Sequence, residues 1–349
     1  MTDCIIVGGG LIGMLSAREL KKAGLDVLVL EKGELGKESS WAGGGILSPL
    51  HPWRYPDEVG QLASIGHQLY PQIAHELYEE SGIDPQYLRS GLLVLNSLEQ
   101  AEALAWADKW SMNLSVLESS EAIETVVPGI TSTFERGLWL PDIAQMRNPR
   151  LIKAAKGSLD YLGIDYHEHT SVEKLNINDA KINGVTANGK TYHAEQVLIA
   201  GGAWSGEILR QFQQPPDIMP VKGQMILFEP AVDLLKSMLL VDNRYLIPRK
   251  DGRVLCGSSI EHTGYDKSTS ADIKQDLLNS ATEIFPALAK LNIEHHWAGL
   301  RPGSPHGVPY IGRHNEVEGL YINAGHFRNG VILGIGSCQK VAAEIIRHA

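Results

Sequence analysis

The chain opens on blocks of purely apolar sequence separated by glycines. Cys4-Ile5-Ile6-Val7 runs without polar alternation into Gly8-Gly9-Gly10, which predicts a strand buried on both faces, as in a parallel sheet. Over 11–23 the apolar positions switch to helical spacing, with Leu11, Leu15 and Leu20 inward, Arg18, Lys21 and Lys22 outward, and Gly24 as the stop. Val27-Leu28-Val29-Leu30 predicts a second buried strand, completing a βαβ unit. A long amphipathic helix is expected over 61–80 and another over 151–162, with strands of a different sheet at 91–95 and 138–140. Val197-Leu198-Ile199-Ala200, followed by Gly201-Gly202, repeats the two-sided apolar pattern and should rejoin the first sheet, making the first domain discontinuous. From 220 to 261 strands alternate with turn signals (223–228, 245–248, then Asp251-Gly252 leading into 254–256), which implies an antiparallel sheet. The chain returns to a buried segment at 320–325 and ends in a helix over about 331–347.

Composition narrows the function classes. Of 349 residues, 43% are apolar and 21% charged, enough to bury large cores, and no Pro/Ser-rich or charged stretch could serve as a free linker. A net charge of −10 argues against a nucleic-acid partner or an anionic membrane surface. Cys4, Cys256 and Cys338 lack metal-type spacing and fit buried reduced thiols. Without a basic leader or an eighteen-residue apolar run, the expectation is a cytoplasmic chain with no integral membrane segment. His167-x-His169 and His295-His296 have metal-like spacing but no accompanying Cys or acid cluster, so no metal is expected.

Gly8-x-Gly10-x-x-Gly13 supplies a tight turn, a close backbone approach to a pyrophosphate and close packing of the helix, whose N-terminus then faces the phosphates. Glu31 closes the second strand, where its carboxylate can accept from a ribose diol. NAD and FAD share this signature, and a 2′-phosphate is disfavoured by the acid. Ser39-Ser40-Trp41-Ala42-Gly43-Gly44-Gly45-Ile46 offers hydroxyls and bare backbone, as a longer cofactor needs, or is a surface loop. Gly325-His326-Phe327-Arg328-Asn329-Gly330 precedes the last helix, whose N-terminal dipole could stabilise charge on a reduced flavin. Together these point to FAD.

The sequence resembles the D-amino-acid oxidase and sarcosine oxidase superfamily of flavoproteins, and within it the glycine oxidases of thiamine biosynthesis. The likeness covers nearly the whole chain and is closest at Pro220-Val221-Lys222-Gly223-Gln224, Tyr245-Leu246-Ile247-Pro248-Arg249, Trp297-Ala298-Gly299-Leu300-Arg301-Pro302-Gly303 and 325–330. Ile143-Ala144-Gln145-Met146-Arg147-Asn148-Pro149 also resembles bacterial members, with no catalytic role assigned to it. The implied fold class is α/β, a Rossmann-type FAD-binding domain (1–80, 141–215 and 296–349) intertwined with an α+β substrate domain on an antiparallel sheet (81–140 and 216–295). The implied cofactor is non-covalent FAD, because tethering relatives use a Cys or His near the ring, whereas 41–46 has no His and 301–313 no Cys. Candidate cofactor-binding residues are Gly8, Gly10, Leu11, Ile12, Gly13, Glu31, Lys32, Ser39, Ser40, Gly44, Gly45, Ile46, Val172, Gly201, His326, Phe327, Arg328, Asn329, Gly330, Val331 and Ile332.

Arg301, read as lying in a Gly-Leu-Arg-Pro-Gly turn, is the natural bidentate partner for a substrate carboxylate. Tyr245 starts an apolar strand and either supports that carboxylate or is a core tyrosine. Arg328 either contacts substrate or pairs with a nearby acid. Ile260 stands where some glycine oxidases line the pocket with methionine, and Asn243-Arg244 precede Tyr245 where a His is known. The expected reaction is oxidative deamination of glycine, sarcosine or small D-amino acids through an imine, with hydride transfer to flavin N5 and oxygen as acceptor, feeding the thiazole of thiamine. The resemblance also implies a homo-oligomer, a tetramer. Rival readings are a D-amino-acid dehydrogenase using another acceptor, the oxidase of a tRNA-modifying system, and an FAD-binding scaffold without turnover.

Overall fold

A computed structural model describes residues 2–349. The apolar run at the N-terminus forms the strand Thr2–Val7, which pairs in parallel with Val27–Leu30 on one side and Lys190–Ile199 on the other. The sheet extends to Asp165–His167 beyond Val27–Leu30, and to Leu320–Ala324 and the antiparallel edge strand Tyr310–Arg313 beyond Lys190–Ile199. Ile5, Ile6, Val29, Leu198 and Ile199 are fully buried, as the absence of polar alternation requires. Strand Lys190–Ile199 also carries an antiparallel meander of Val172–Asn178 and Lys181–Ala187 on its N-terminal half.

Helices Leu11–Lys22, Asp57–Ser81, Asn148–Tyr161 and Gly330–Ile346 pack together on this sheet in one apolar core. Arg18 departs from the expected outward placement. It is only 1% exposed, and its Nη2 reaches Glu76 and, at 2.7 Å, Glu80 Oε1, while Nε donates to Ser158 Oγ. The reason is that the helix Asp57–Ser81 covers the face that a lone βαβ unit would leave to water, and it brings two carboxylates to pair the buried guanidinium.

The second sheet has eight strands in the order Ile293–Gly303, Met219–Phe228, Val254–Gly257, Arg244–Pro248, Met238–Val241, Leu92–Leu95, Gly137–Leu140 and Ser115–Leu117. All neighbours are antiparallel except Met238–Val241 with Leu92–Leu95, the parallel pair that joins the two separate stretches of chain. A division at 296 falls inside the strand Ile293–Gly303, which pairs with Met219–Phe228 along its length. Arg301 is therefore within a strand rather than in a turn. Pro302 does not end that strand because it faces Pro220, so the two residues without an N–H share one rung of the ladder. No helix among the described residues is long and apolar enough to cross a membrane.

Candidate active site

The glycine loop turns from the first strand into the first helix, and each glycine has a separate steric reason. A Cβ on Gly8, whose φ is +110°, would stand 2.5 Å from Ala200 O, and one on Gly13 would stand 1.9 Å from Gly8 O. Gly8 thus lets the loop rest on the neighbouring strand end, and Gly13 lets the helix sit on the loop. Gly10 is the helix N-cap and carries no side-chain cap; no acid occupies the first turn, and Leu11 N donates to Ser40 Oγ at 2.9 Å. The positive end of that helix is open to an anion. Glu31 is fixed beside it, with Oε2 accepting from Gly9 N at 2.7 Å and Oε1 from Gly33 N at 2.9 Å. Each oxygen keeps acceptor capacity for a ribose hydroxyl.

The segment after Glu31 is a short helix, Ser39–Ala42, followed by bare backbone through Gly45. Asn148, at the start of the helix Asn148–Tyr161, clamps it: Nδ2 donates to Ser40 O at 2.7 Å, and Cβ atoms on Gly43 and Gly45 would meet the Asn148 amide at 2.7 and 2.4 Å. Arg249 holds the same segment from the second sheet, donating from Nη2 to Gly44 O at 2.8 Å and from Nη1 to Gln145 Oε1 at 2.8 Å. Burial among these neutral partners pushes its pKa down to about 10. At the C-terminal return, His326 is buried and bonded through Nε2 to Ser337 Oγ at 2.9 Å. Ser337 Oγ donates to Gly334 O, so the hydrogen-bond chain makes Nε2 the protonated nitrogen. Burial lowers the His326 pKa to about 3, and the ring is neutral.

The same cavity is completed by Tyr245, Arg301 and Arg328. Arg301 donates to Ser258 Oγ at 2.6 Å and Ser259 O at 3.2 Å, both uncharged, and burial lowers its pKa even with Tyr245 beside it. Two glycines make room for this pair. Gly257 faces Tyr245 in register, where a Cβ would stand 2.7 Å from the phenol oxygen, and Gly223 lies under the Arg301 guanidinium. Arg328 stands in the one-turn helix Phe327–Asn329; Nη1 donates to Asn243 Oδ1 at 2.9 Å, and the buried Nη2 has no partner. It pairs with no acid. An unpaired guanidinium N–H beside a second guanidinium that is bonded only to uncharged oxygens leaves donor capacity and positive charge at this end of the cavity.

Most of the residues expected to hold cofactor or substrate line this cavity: Gly8, Gly10, Leu11, Ile12, Glu31, Lys32, Ser39, Ser40, Gly44, Gly45, Ile46, Val172, Gly201, His326, Phe327, Gly330 and Val331. Gly13, Asn329 and Ile332 stand behind it, Gly13 under the loop and Ile332 packed on Gly66 of the long helix. Ile260 is not part of the lining. Its side chain is 43% exposed, because Ser258 and Ser259 turn toward Arg301 and Gln224 and leave the next residue on the outside. Sequence reasoning gave no role to Asn148, Asn243, Met225 or Trp204, all now at the site or supporting it. Asn148 is the most legible of them, since it sits in the stretch already noted at 143–149.

These groups fit FAD: a helix N-terminus with no acid in its first turn and only Leu11 N taken by Ser40 Oγ for the pyrophosphate, Glu31 for the ribose, and a glycine-bare wall leading to the neutral His326 and the final helix. The family of FAD dependent oxidoreductases matches residues 3–344. A glycine oxidase of Pseudomonas aeruginosa is 43% identical over 339 residues, spanning 97% of this chain and 93% of its own. The bifunctional protein ThiO/ThiG of Synechocystis is 29% identical over 343 residues, 95% of this chain but half of its own length. The crystal structure of a glycine oxidase from Bacillus cereus superposes with a TM-score of 0.93 at 30% identity, covering 100% of this chain and 96% of that one. The open helix terminus, the ribose acid and the paired arginines thus meet in a chain that belongs to the family of FAD-dependent oxidoreductases and is an enzyme using FAD.

Proposed function

We propose that this chain oxidises glycine, and with it sarcosine and small D-amino acids, to an imine that water converts to the oxo acid and ammonia. Dioxygen receives the two electrons and leaves as hydrogen peroxide. The observation that carries the reading is the convergence of Arg301, Arg328 and Tyr245 on one cavity with the FAD cradle. The glycine oxidases among its relatives support the same substrate class.

Held by the glycine loop, Glu31 and the bare backbone through Gly45, FAD would supply two-electron acceptor chemistry for oxidation at the substrate Cα. Arg301 and the free Nη2 of Arg328 hold the carboxylate, with the Tyr245 hydroxyl beside them, so the chain's contribution is orientation. The carboxylates lining the cavity, Glu31, Glu38 and Glu207, belong to the nucleotide side: Glu31 holds the glycine loop and Glu38 pairs with Lys267. No acid among the described lining residues accompanies Arg301 to act as a base, so the amine enters already deprotonated. A place in making the thiazole of thiamine, and a homotetrameric assembly, go with this reading.

The test is anaerobic mixing of the FAD-loaded protein with glycine, sarcosine, D-alanine and D-proline, scored by bleaching of the flavin, followed by air and a peroxide assay. Bleaching by glycine with peroxide on aeration is expected. Bleaching without peroxide assigns another electron acceptor, and no bleaching by any of the four sinks the reading.

A further inference from the structure

A second cavity, of about 280 Å³, lies back to back with the active site, within reach of the sizes that small-molecule pockets have. Its floor is one face of the helix Asp57–Ser81, where Gly60, Ser64 and His67 recur at helical spacing. Across from them stand Trp106 and Trp110, one turn apart. Gly60 is what admits the second ring, since a Cβ there would lie 2.4 Å from Trp110. The third wall is the stretch 46–50, which follows the β-bridge of Ile46 with Gln145. Ile46, Ser48 and Leu50 line the active cavity, whereas Leu47 and Pro49 line this one, so a single thickness of backbone separates the two.

Polar groups stand among the rings of this cavity, Ser64, Gln68, Tyr87 and Ser111 beside His67, Arg89 and Asp142. His67 lines it, and its buried Nε2 has no hydrogen-bond partner. Burial lowers the His67 pKa to about 4, so the ring is neutral near pH 7. Arg89 and Asp142, 3.5 Å apart, contribute opposite charges that cancel. A charged ligand would lose its hydration without a net counter-charge, and a hydrocarbon would leave Nε2 unsatisfied.

We propose that this cavity binds a small neutral aromatic molecule carrying a hydroxyl or ring N–H, its ring against Trp106 and Trp110 and its polar edge on His67 Nε2. A hydroxyl suits either tautomer of His67 because it both donates and accepts. The site is independent of the substrate proposed for the active cavity.

The test is calorimetric titration of the FAD-loaded protein with phenol, toluene and cyclohexanol. Phenol should bind saturably at one site and more tightly than the other two, without shifting the flavin absorption band. His67→Leu removes the polar partner and Ser64→Leu fills the space; each should weaken phenol at least ~10-fold, a loss of about 1.4 kcal/mol. Both variants should keep the flavin spectrum, which separates loss of the site from loss of the fold. Phenol that fails to saturate, binds no better than toluene, or binds both variants as it binds the parent overturns the proposal. A shifted flavin band that persists in the variants places phenol in the active cavity and does the same.

Discussion

The guanidinium of Arg301 lies on the α-carbon of Gly223: a Cβ there would stand 2.1 Å from Nη2 and 2.2 Å from Nη1. The two residues are on neighbouring strands, Val221 being the register partner of Arg301. Gly223→Ala should therefore displace the guanidinium while leaving the FAD cradle alone. The KM for glycine is expected to rise at least ~10-fold, the equivalent of about 1.4 kcal/mol, with the flavin spectrum retained. Arg301→Ala should cost about 2–5 kcal/mol in kcat/KM, the range for truncating one partner of a buried charge pair. Unchanged steady-state kinetics in both variants would remove Arg301 from substrate binding.

Asn243 aims Arg328 through one 2.9 Å bond to Nη1, leaving Nη2 for the ligand. Asn243→Ala should raise KM by a few-fold, consistent with loss of about 1 kcal/mol of hydrogen bonding. Asn243→Asp should raise it further, because the new carboxylate competes with that of the substrate for Arg328. Comparing KM across the three proteins at one pH checks the order; an Asp variant that matches the parent would contradict it.

Gly13 is the least replaceable member of the glycine loop, since its Cβ would meet the Gly8 carbonyl at 1.9 Å, backbone against backbone. Gly13→Ala should yield protein that purifies with little flavin, measured as the absorbance ratio of flavin to protein. In the parent, Cys4, Cys256 and Cys338 are all buried in cores and none lines the cavity. Acid denaturation should accordingly release the yellow colour into the supernatant, and colour that stays with washed protein would show a covalent link.

His326 sets an expected pH dependence of stability. Its folded pKa, about 3, lies below the roughly 6.5 of an exposed histidine. As pH falls below about 6.5 the unfolded chain takes up the proton first, so stability is lost, by about 1.4 kcal/mol per pH unit for one group. The stabilising contribution is complete above that pH, and His67 acts in the same direction. His326→Gln, whose amide can still donate to Ser337 Oγ, should flatten the fall of the thermal midpoint between about pH 6.5 and 4. An unchanged slope would assign the acid lability to other groups.

The first βαβ unit was readable because each of its signals is local. Cys4 to Val7 had to be buried on both faces, Gly8, Gly10 and Gly13 are spaced for one turn, and Glu31 directly follows the paired strand Val27–Leu30. Arg18 was misplaced for the converse reason, since its partners Glu76 and Glu80 come from a helix some sixty residues later. Ile260 lies outside the lining for a similar reason: it follows the end of the strand Val254–Gly257, in a stretch where Ser258 Oγ and the Ser259 carbonyl accept from Arg301 and the Ser259 hydroxyl turns to Gln224 N.

What the sequence by itself determined is the nucleotide-binding unit, because strand apolarity, glycine spacing and one acid are properties of contiguous chain. Tertiary structure alone decided which arginine stays free. Arg301 reaches the cavity from inside a strand that Pro302 does not break, and Arg328 is held by Asn243, 85 residues away. Gly223 and Gly257 matter only because the strands beside them carry an arginine and a tyrosine. Such pairings depend on register between distant segments, and no local pattern in the chain encodes them.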